Sequence, residues 1–195
     1  MGTAIWDIIR QATHASHRRL DDALSRLNLA IPLYYGSFLR SQAEALFPIE
    51  AALDRDGVER IIPDWRARAR TAALTHDLKT LGIACDPLPM PYFRSAAEIF
   101  GAVYVLEASR MGERVMLARL AEDPDSSAMN ATAYLRHGFG KRFWPSFLAL
   151  LENHPDAQAD PAGVVHGADI TFAMFEDTLL PVTQIAPASF TQVSA

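Results

Sequence analysis

The stretch "IIRQATHASHRRLDDAL", residues 8–24, decides the fold class, because its apolar residues follow a helical repeat. Across residues 4–27, apolar side chains recur at spacings of three and four residues, which is typical of an amphipathic helix with one buried face. We therefore predict one helix over residues 4–27. The positions that define its buried stripe are Ile5, Ile9, Ala12, Leu20, Leu24 and Leu27.

The same stretch carries two histidines, His14 and His17. His17 lies eight residues after Ile9 and three before Leu20, which places it on the buried stripe, whereas His14 lies near the edge of that stripe. His17 is either an ordinary boundary histidine bonded to a carbonyl, or a neutral imidazole that ligates a metal or a heme iron. A lone histidine favours heme over zinc, because zinc needs three or four protein ligands. Cations on this helix that could pair with an anionic heme are Arg10, His14, Arg18 and Arg19.

Helical periodicity continues through the rest of the chain. Pro32 opens a second helix that runs to about residue 54, with Pro48 as a possible kink, and Asp64 and Gly82 are the predicted N-cap and stop of a third. Three prolines in the segment 83–91 predict a loop. We expect one all-α domain of about seven helices over residues 1–180 and a tail over 181–195. The remaining predicted helices cover 94–123, 129–137, 140–152 and 162–180.

The predicted helix 94–123 contains Gly101 and Gly112, with Ala102 and Ala108 between them. A glycine inside a helix costs about 1 kcal/mol relative to alanine, so it marks a place where the backbone bends or approaches something closely. Two interpretations remain open at this point. The small residues either allow tight helix–helix packing or let a planar ligand lie against the helix backbone.

Composition limits the classes of function. The chain has 195 residues, of which 50% are hydrophobic and 21% are charged. Its net charge of -5 argues against non-specific binding to nucleic acid, which is itself negatively charged. The single cysteine, Cys85, forms no internal disulfide and is interpreted as an incidental thiol. No apolar run reaches the roughly 20 residues of a membrane span, and no secretory leader is recognisable. We expect a cytoplasmic protein without a membrane or nucleic-acid partner.

Several metal and nucleotide motifs are missing from the sequence. There is no Glu-x-x-His pair of the kind that builds di-iron sites in helical bundles, no Cys-x-x-Cys and no P-loop. The chemistry of the chain must therefore be sought in the histidine helix and the glycine-containing helix.

Three segments resemble the biliverdin-producing heme oxygenases, especially the bacterial branch associated with bacteriophytochromes. "IIRQATHASHRRLDDAL" is similar to the family's proximal helix, in which the pattern ends in the heme ligand, and this register selects His17. "YYGSFLRSQAEALFPIEAAL", residues 34–53, and "GAVYVLEASRMGERVMLARL", residues 101–120, are similar to the second and distal helices. The resemblance implies a single-domain helical bundle that holds heme between the first helix and a bent distal helix.

The resemblance also implies the chemistry. Heme is cofactor and substrate, His17 binds its iron, and O2 is consumed as the ring is cleaved to biliverdin, CO and iron. Electrons come from an external donor such as a ferredoxin or a reductase, because the sequence shows no flavin or iron–sulfur motif. The distal wall, with Ala108, Ser109 and Gly112, is implied to be the catalytic segment. A heme-binding or heme-sensing protein with little turnover is the alternative.

This sequence departs from the family's Gly-x-x-x-Gly-Gly pattern at two positions. Ala108 stands at the first glycine, where its methyl group could displace O2 or a distal water. Glu113 stands at the last, where it is either a solvated residue on the outer face, paired with Arg110 or Arg114, or an acid turned toward the heme. Turnover depends on which arrangement holds.

Partners for the heme propionates are expected in two regions, since cations that pair with propionates orient the ring. The first region is the histidine helix. The second is the segment "YLRHGFGKRFW", residues 134–144. The predicted heme-binding residues besides His17 are Arg10, His14, Tyr134, Lys141 and Arg142, with Arg136 as a further cation and Phe172 and Phe175 as aromatics that could edge the pocket.

Overall fold

A computed structural model describes residues 4–122 and 127–185 of the chain. Within these residues the secondary structure is entirely helical, with ten α-helices, two short 3-10 turns and no strand, so the predicted all-α class is confirmed. The helices are α1 (Ile5–Ala12), α2 (His14–Ser25), α3 (Pro32–Asp56), α4 (Trp65–Arg68), α5 (Thr71–Leu81), α6 (Ala96–Leu120), α7 (Ala133–Arg136), α8 (Phe143–Asn153), α9 (Pro155–Ala159) and α10 (Pro161–Ile185).

The helix count exceeds the predicted seven for local reasons. The predicted first helix is divided at Thr13, whose hydroxyl donates to the Ile9 carbonyl over 2.8 Å, a bond that competes with regular helix geometry. The predicted third helix is interrupted between Arg68 and Thr71, where Ala69 is extended. The short helix α9 was not predicted. Helix α10 continues to Ile185, and residues 186–195 of the predicted tail lie outside the described residues.

Helix boundaries follow the expected capping chemistry at most ends. Gly82 ends α5 in the left-handed conformation, with φ of 67°, as predicted. Ser95 begins α6 by accepting a hydrogen bond from the Glu98 backbone N–H over 3.2 Å. Asp64 occupies the predicted N-cap position of α4, but its carboxylate pairs with Arg68 and does not cap the helix. Pro48 is buried inside the unbroken helix α3.

The core is built on the two long helices α6 and α10, which make the most extensive helix pair in the structure. They touch through glycines. A Cβ added to Gly101 would lie 2.0 Å from the Val164 carbonyl oxygen, and one added to Gly167 would lie 2.0 Å from the Glu98 carbonyl oxygen. Of the two interpretations of the glycines in α6, tight helix packing therefore holds for Gly101.

Helix α10 also packs against α2 and α3, so it forms the shared wall behind several elements. Helices α2 and α6 barely contact each other, although both lie against α10. A space bounded by three helices is left between them. A search of the described helices finds none that is long and apolar enough to cross a membrane.

Candidate heme site

A cavity occupies the space between α2 and α6 and is closed at the back by α10 and at one end by α3. Its walls are mostly apolar, with polar groups contributed by few positions. The lining residues are His17, Leu20, Asp21 and Leu24 of α2, Phe38 and Gln42 of α3, Val105, Ala108, Ser109, Gly112, Glu113 and Met116 of α6, and Phe172, Phe175 and Leu179 of α10.

His17 lines this cavity and is half-buried. Its ring meets Phe172 edge-on, with centroids 4.5 Å apart, and Tyr104 edge-on at 6.1 Å. Burial lowers the pKa of His17 below its ordinary value of 6.5, with Asp21 opposing this shift and His14 adding to it. A neutral imidazole keeps a nitrogen lone pair free, which is the form that ligates a metal.

The wall of the cavity formed by α6 consists of small residues. Ala108, Ser109 and Gly112 all line it, and their role in holding a ligand against the helix stays a prediction. A Cβ added to Gly112 would meet no described atom within 4 Å, in contrast to the crowded Gly101. The two glycines of α6 therefore differ in role, because Gly101 allows helix contact and Gly112 leaves open space at the cavity.

Besides His17 and Asp21, the polar residues that line the cavity are Gln42, Ser109 and Glu113, which we call its polar end. Glu113 is buried, with 3% of its surface exposed, and its carboxylate forms an ion pair with the fully buried Arg70. The interpretation of Glu113 as a solvated residue paired with Arg110 or Arg114 is therefore wrong. Glu113 follows Ser109 by one helical turn, so both side chains lie on the face of α6 that lines the cavity.

Arg70 was missed by the sequence analysis. It lies at the N-cap position of α5, where its backbone N–H donates to the Glu50 carboxylate over 2.8 Å. Its Nη1 donates to Ser109 Oγ over 3.1 Å as well as to Glu113 Oε1, and its guanidinium lies 5.1 Å from the ring centre of Tyr134. No local pattern around residue 70 indicates a partner 43 positions away.

A second buried ion network lies next to the Arg70–Glu113 pair. Glu107, with 1% of its surface exposed, accepts from Arg110 Nε over 3.0 Å and lies 3.3 Å from Arg68 Nη1. Arg110 also donates to the Arg68 carbonyl over 2.6 Å and approaches the His137 ring nitrogen at 3.1 Å. Burial, together with the positive charges of Arg110 and Arg70, lowers the pKa of His137 to about 4.

The predicted propionate partners on the histidine helix are exposed. Arg10 pairs with Asp7 over 3.4 Å, its guanidinium lies 5.1 Å from the ring centre of Trp6, and it is not among the residues that line the cavity. His14 is also exposed and outside the lining.

The predicted partners in the segment 134–144 fall in two environments. Tyr134 is fully buried, and its hydroxyl donates to Gln42 Oε1 over 3.1 Å, so it supports a residue that lines the cavity. Lys141 and Arg142 are exposed in the connection before α8 and do not line the cavity. Phe172 and Phe175 do edge the cavity, as one interpretation of the sequence proposed.

The volumes of the cavity and of the cleft beside it bear on whether a heme ring fits between α2 and α6. The cavity beside His17 holds about 110 Å³, less than the several hundred Å³ of a typical ligand site. It shares Asp21, Leu24, Gly112 and Met116 with a neighbouring cleft of about 670 Å³ between the C-terminal parts of α2 and α6. Apolar walls, one neutral imidazole and this adjoining space suit a planar ligand that enters between α2 and α6.

Comparisons with known proteins bear on the family and the fold of the chain. No family model matches the chain. A heme oxygenase from Xanthomonas campestris pv. campestris (strain 8004) is 31% identical over 146 residues, which cover 74% of this chain and 88% of that protein. The solved structure of the NO- and CO-bound heme oxygenase from Neisseria meningitidis has a similar fold, with a TM-score of 0.67, 20% identity and 99% of each chain covered. The extent of the first match and the agreement of the second in fold lead to one conclusion: the chain belongs to the heme oxygenase family.

Proposed function

We propose that this chain cleaves heme to biliverdin, CO and iron, with O2 as the oxidant and electrons from an external donor such as a ferredoxin or a reductase. The observation that carries the proposal is the placement of a neutral imidazole, His17, across one cavity from the small residues of α6. Bound heme would supply both the iron that activates O2 and the ring carbon that is oxidised. We further propose that the protein acts in the cytoplasm.

Each wall of the cavity has a role in this proposal. His17 would hold the iron through one ring nitrogen, and its edge-on contact with Phe172 limits rotation of the imidazole. Apolar side chains on α2, α3 and α10 would exclude water from the bound group. Ala108 and Gly112 leave room at the wall formed by α6, because neither has a side chain longer than a methyl group.

The polar end of the cavity would supply hydrogen bonds to a small molecule bound there. The Ser109 hydroxyl can donate to the Leu106 carbonyl over 2.9 Å or to Glu113 Oε1 over 3.2 Å, so it can turn between two acceptors. Gln42 is fixed by the Tyr134 hydroxyl. These groups hold exchangeable protons at the polar end of the cavity.

Orientation of the ring requires cations near the propionates. We propose Arg10, His14, Lys141 and Arg142 as the candidates, since all four are exposed at the surface and available to an anionic group. Tyr134 acts through Gln42 in this proposal, because its hydroxyl is fully buried.

The test begins with addition of hemin to the purified protein. A Soret band that shifts from that of free hemin is expected, followed under ascorbate or a ferredoxin system by loss of that band and growth of bilin absorption. Identification of biliverdin by chromatography confirms the product. A protein that gives no shifted Soret band contradicts heme binding.

The second candidate is a heme-binding protein with little turnover. The burial of Glu113 at the cavity favours it, because a carboxylate stands where the family pattern has glycine, and Ala108 adds a methyl group to the same wall. Recovery of intact heme after prolonged incubation with reductant and O2, with the Soret band retained, would establish this candidate in place of the first.

A further inference from the structure

In the ion pair formed by Arg70 and Glu113, both side chains have atoms without a hydrogen-bond partner among the described residues. Within residues 4–122 and 127–185, no group accepts a hydrogen bond from Arg70 Nε or Nη2, and none donates to Glu113 Oε2. All three atoms are buried. Buried polar groups are almost always satisfied in native proteins, so unpaired ones next to a cavity indicate a bound polar molecule.

Among the described residues, the guanidinium of Arg70 has one ion-pair partner, Glu113. The buried side chains of this region are the cations Arg68, Arg70 and Arg110 and the anions Glu50, Glu107 and Glu113, and the Glu50 carboxylate accepts from the backbone N–H groups of Arg70 and Thr71. Glu107 lies between Arg68 and Arg110, which leaves Glu113 as the counter-ion of Arg70. Glu113 also stands between Arg70 and the cavity, because Glu113 lines the cavity and Arg70 does not.

We propose that Glu113 is a specificity-determining residue that admits neutral ligands to the heme and excludes anions. The carboxylate balances the charge of Arg70, so this wall of the cavity offers an anion no net positive charge, while its oxygen still accepts a hydrogen bond from a neutral donor such as water. Without this pairing, the positive charge of Arg70 would attract anions into the cavity. The inference rests on the proposed heme binding and concerns which small molecules reach the iron.

The charge balance predicts the effect of removing the carboxylate. In Glu113→Gln the side chain keeps its size, but Arg70 loses its counter-ion, so an unbalanced positive charge lies behind this wall of the cavity. Affinity of the ferric heme complex for fluoride and azide should rise by about ten-fold or more. Affinity of the ferrous complex for CO, a neutral ligand of similar size, should change by less than about three-fold, because no charge is involved.

A double variant separates charge from packing. In Arg70→Met/Glu113→Gln both charges are removed, and a buried ion pair replaced in this way is often tolerated by the fold. Its anion affinity should return to within about three-fold of the unmodified protein, because the unbalanced cation is gone. If Glu113→Gln fails to fold, this variant still tests the proposal, since an anion affinity far from that of the unmodified protein would contradict it.

The experiment is an absorption titration of each hemin complex with fluoride, azide and CO at fixed pH and ionic strength. A gain for both anions in Glu113→Gln, absent for CO and reversed in the double variant, is the expected result. Unchanged anion affinity, or parallel changes for anions and CO, would overturn the inference. A shifted Soret band in all proteins confirms that heme is bound, so a failure of heme binding is distinguished from a failure of ligand selection.

Discussion

The imidazole of His17 meets the ring of Phe172 edge-on, with the ring centroids 4.5 Å apart and the planes at 71°. The two residues lie on α2 and α10, so the contact ties the helix with the candidate ligand to the central wall of the fold. The imidazole is thereby oriented by protein contacts alone, which reduces the freedom that it loses when it binds a metal.

His17→Ala should abolish the ferric heme spectrum of the unmodified protein, because no second imidazole lines the cavity within the described part of the chain. Added imidazole should restore part of the spectrum by occupying the space that the side chain leaves. The measurement is an absorption titration with hemin. His14→Ala is the matched comparison, since His14 is exposed three residues away and its proposed role at a propionate leaves the iron ligand, and with it the spectrum, unchanged. The reverse pattern would show that the register is wrong by one turn.

Ala108→Gly should raise the yield of biliverdin per heme while leaving heme affinity nearly unchanged. One buried methyl is worth about 0.8 kcal/mol, which is small beside the area that a heme ring buries. The rate of oxygenation is more sensitive to the added methyl group, because a misplacement of the reacting atoms by about 1 Å can lower a rate on the order of 100-fold. Single-turnover product yields under one reductant provide the comparison. Equal yields would mean that the methyl group does not obstruct the reaction.

Gly101→Ala should destabilise the protein by more than about 2 kcal/mol, because overpacking against backbone cannot be relieved by a side-chain movement. The new Cβ would lie 2.0 Å from the Val164 carbonyl oxygen and 2.6 Å from the Ala168 nitrogen. Gly112→Ala is the control in the same helix, where the added methyl meets no described atom. That variant should gain up to about 1 kcal/mol from helix propensity. Urea unfolding of the ligand-free proteins measures both, and similar midpoints would contradict the prediction.

His137 should make the ligand-free protein less stable in acid. Its pKa in the folded state is about 4, below the ordinary 6.5, so the unfolded chain takes up a proton first as the pH falls. The free energy of unfolding should therefore decrease between about pH 6.5 and pH 4. His137→Asn should reduce this decrease by on the order of 1–2 kcal/mol, a value discounted because the ring is partly exposed. The pKa of His17 is also lowered in the folded state, so His17 also makes the free energy of unfolding decrease as the pH falls. Part of the pH dependence will therefore remain in His137→Asn. A matched His166→Asn variant, changed at an exposed histidine, should keep the full slope.

Local sequence patterns predicted the parts of the fold that local chemistry determines. The apolar spacing placed His17 on the inward side of its helix, and Gly82 ends α5 where a left-handed residue was expected. The break at Thr13 was missed because a hydroxyl bond to the preceding turn depends on a rotamer that spacing does not reveal.

The polar end of the site could not be predicted in the same way. Whether Glu113 points outward or inward depends on Arg70, which reaches it from a different segment of the chain. A charged residue in a helix is ordinarily solvated, so the outer position was the natural expectation from sequence alone. Only the packing of α5 against the bundle brings a buried cation to this carboxylate and reverses that expectation.

The contact between Gly101 and the backbone around Val164 and Gly167 also limits how the site can open. The two long helices cannot move closer there, and their close packing resists separation. We expect α6 to rotate about that contact. Gly112 lies eleven residues farther along α6, about 16 Å away at 1.5 Å per residue. A slight rotation of the helix about the contact therefore becomes a larger displacement at the cavity. A ligand that needs more room than the cavity offers would then be accommodated by movement of the C-terminal part of α6 while the core stays in place.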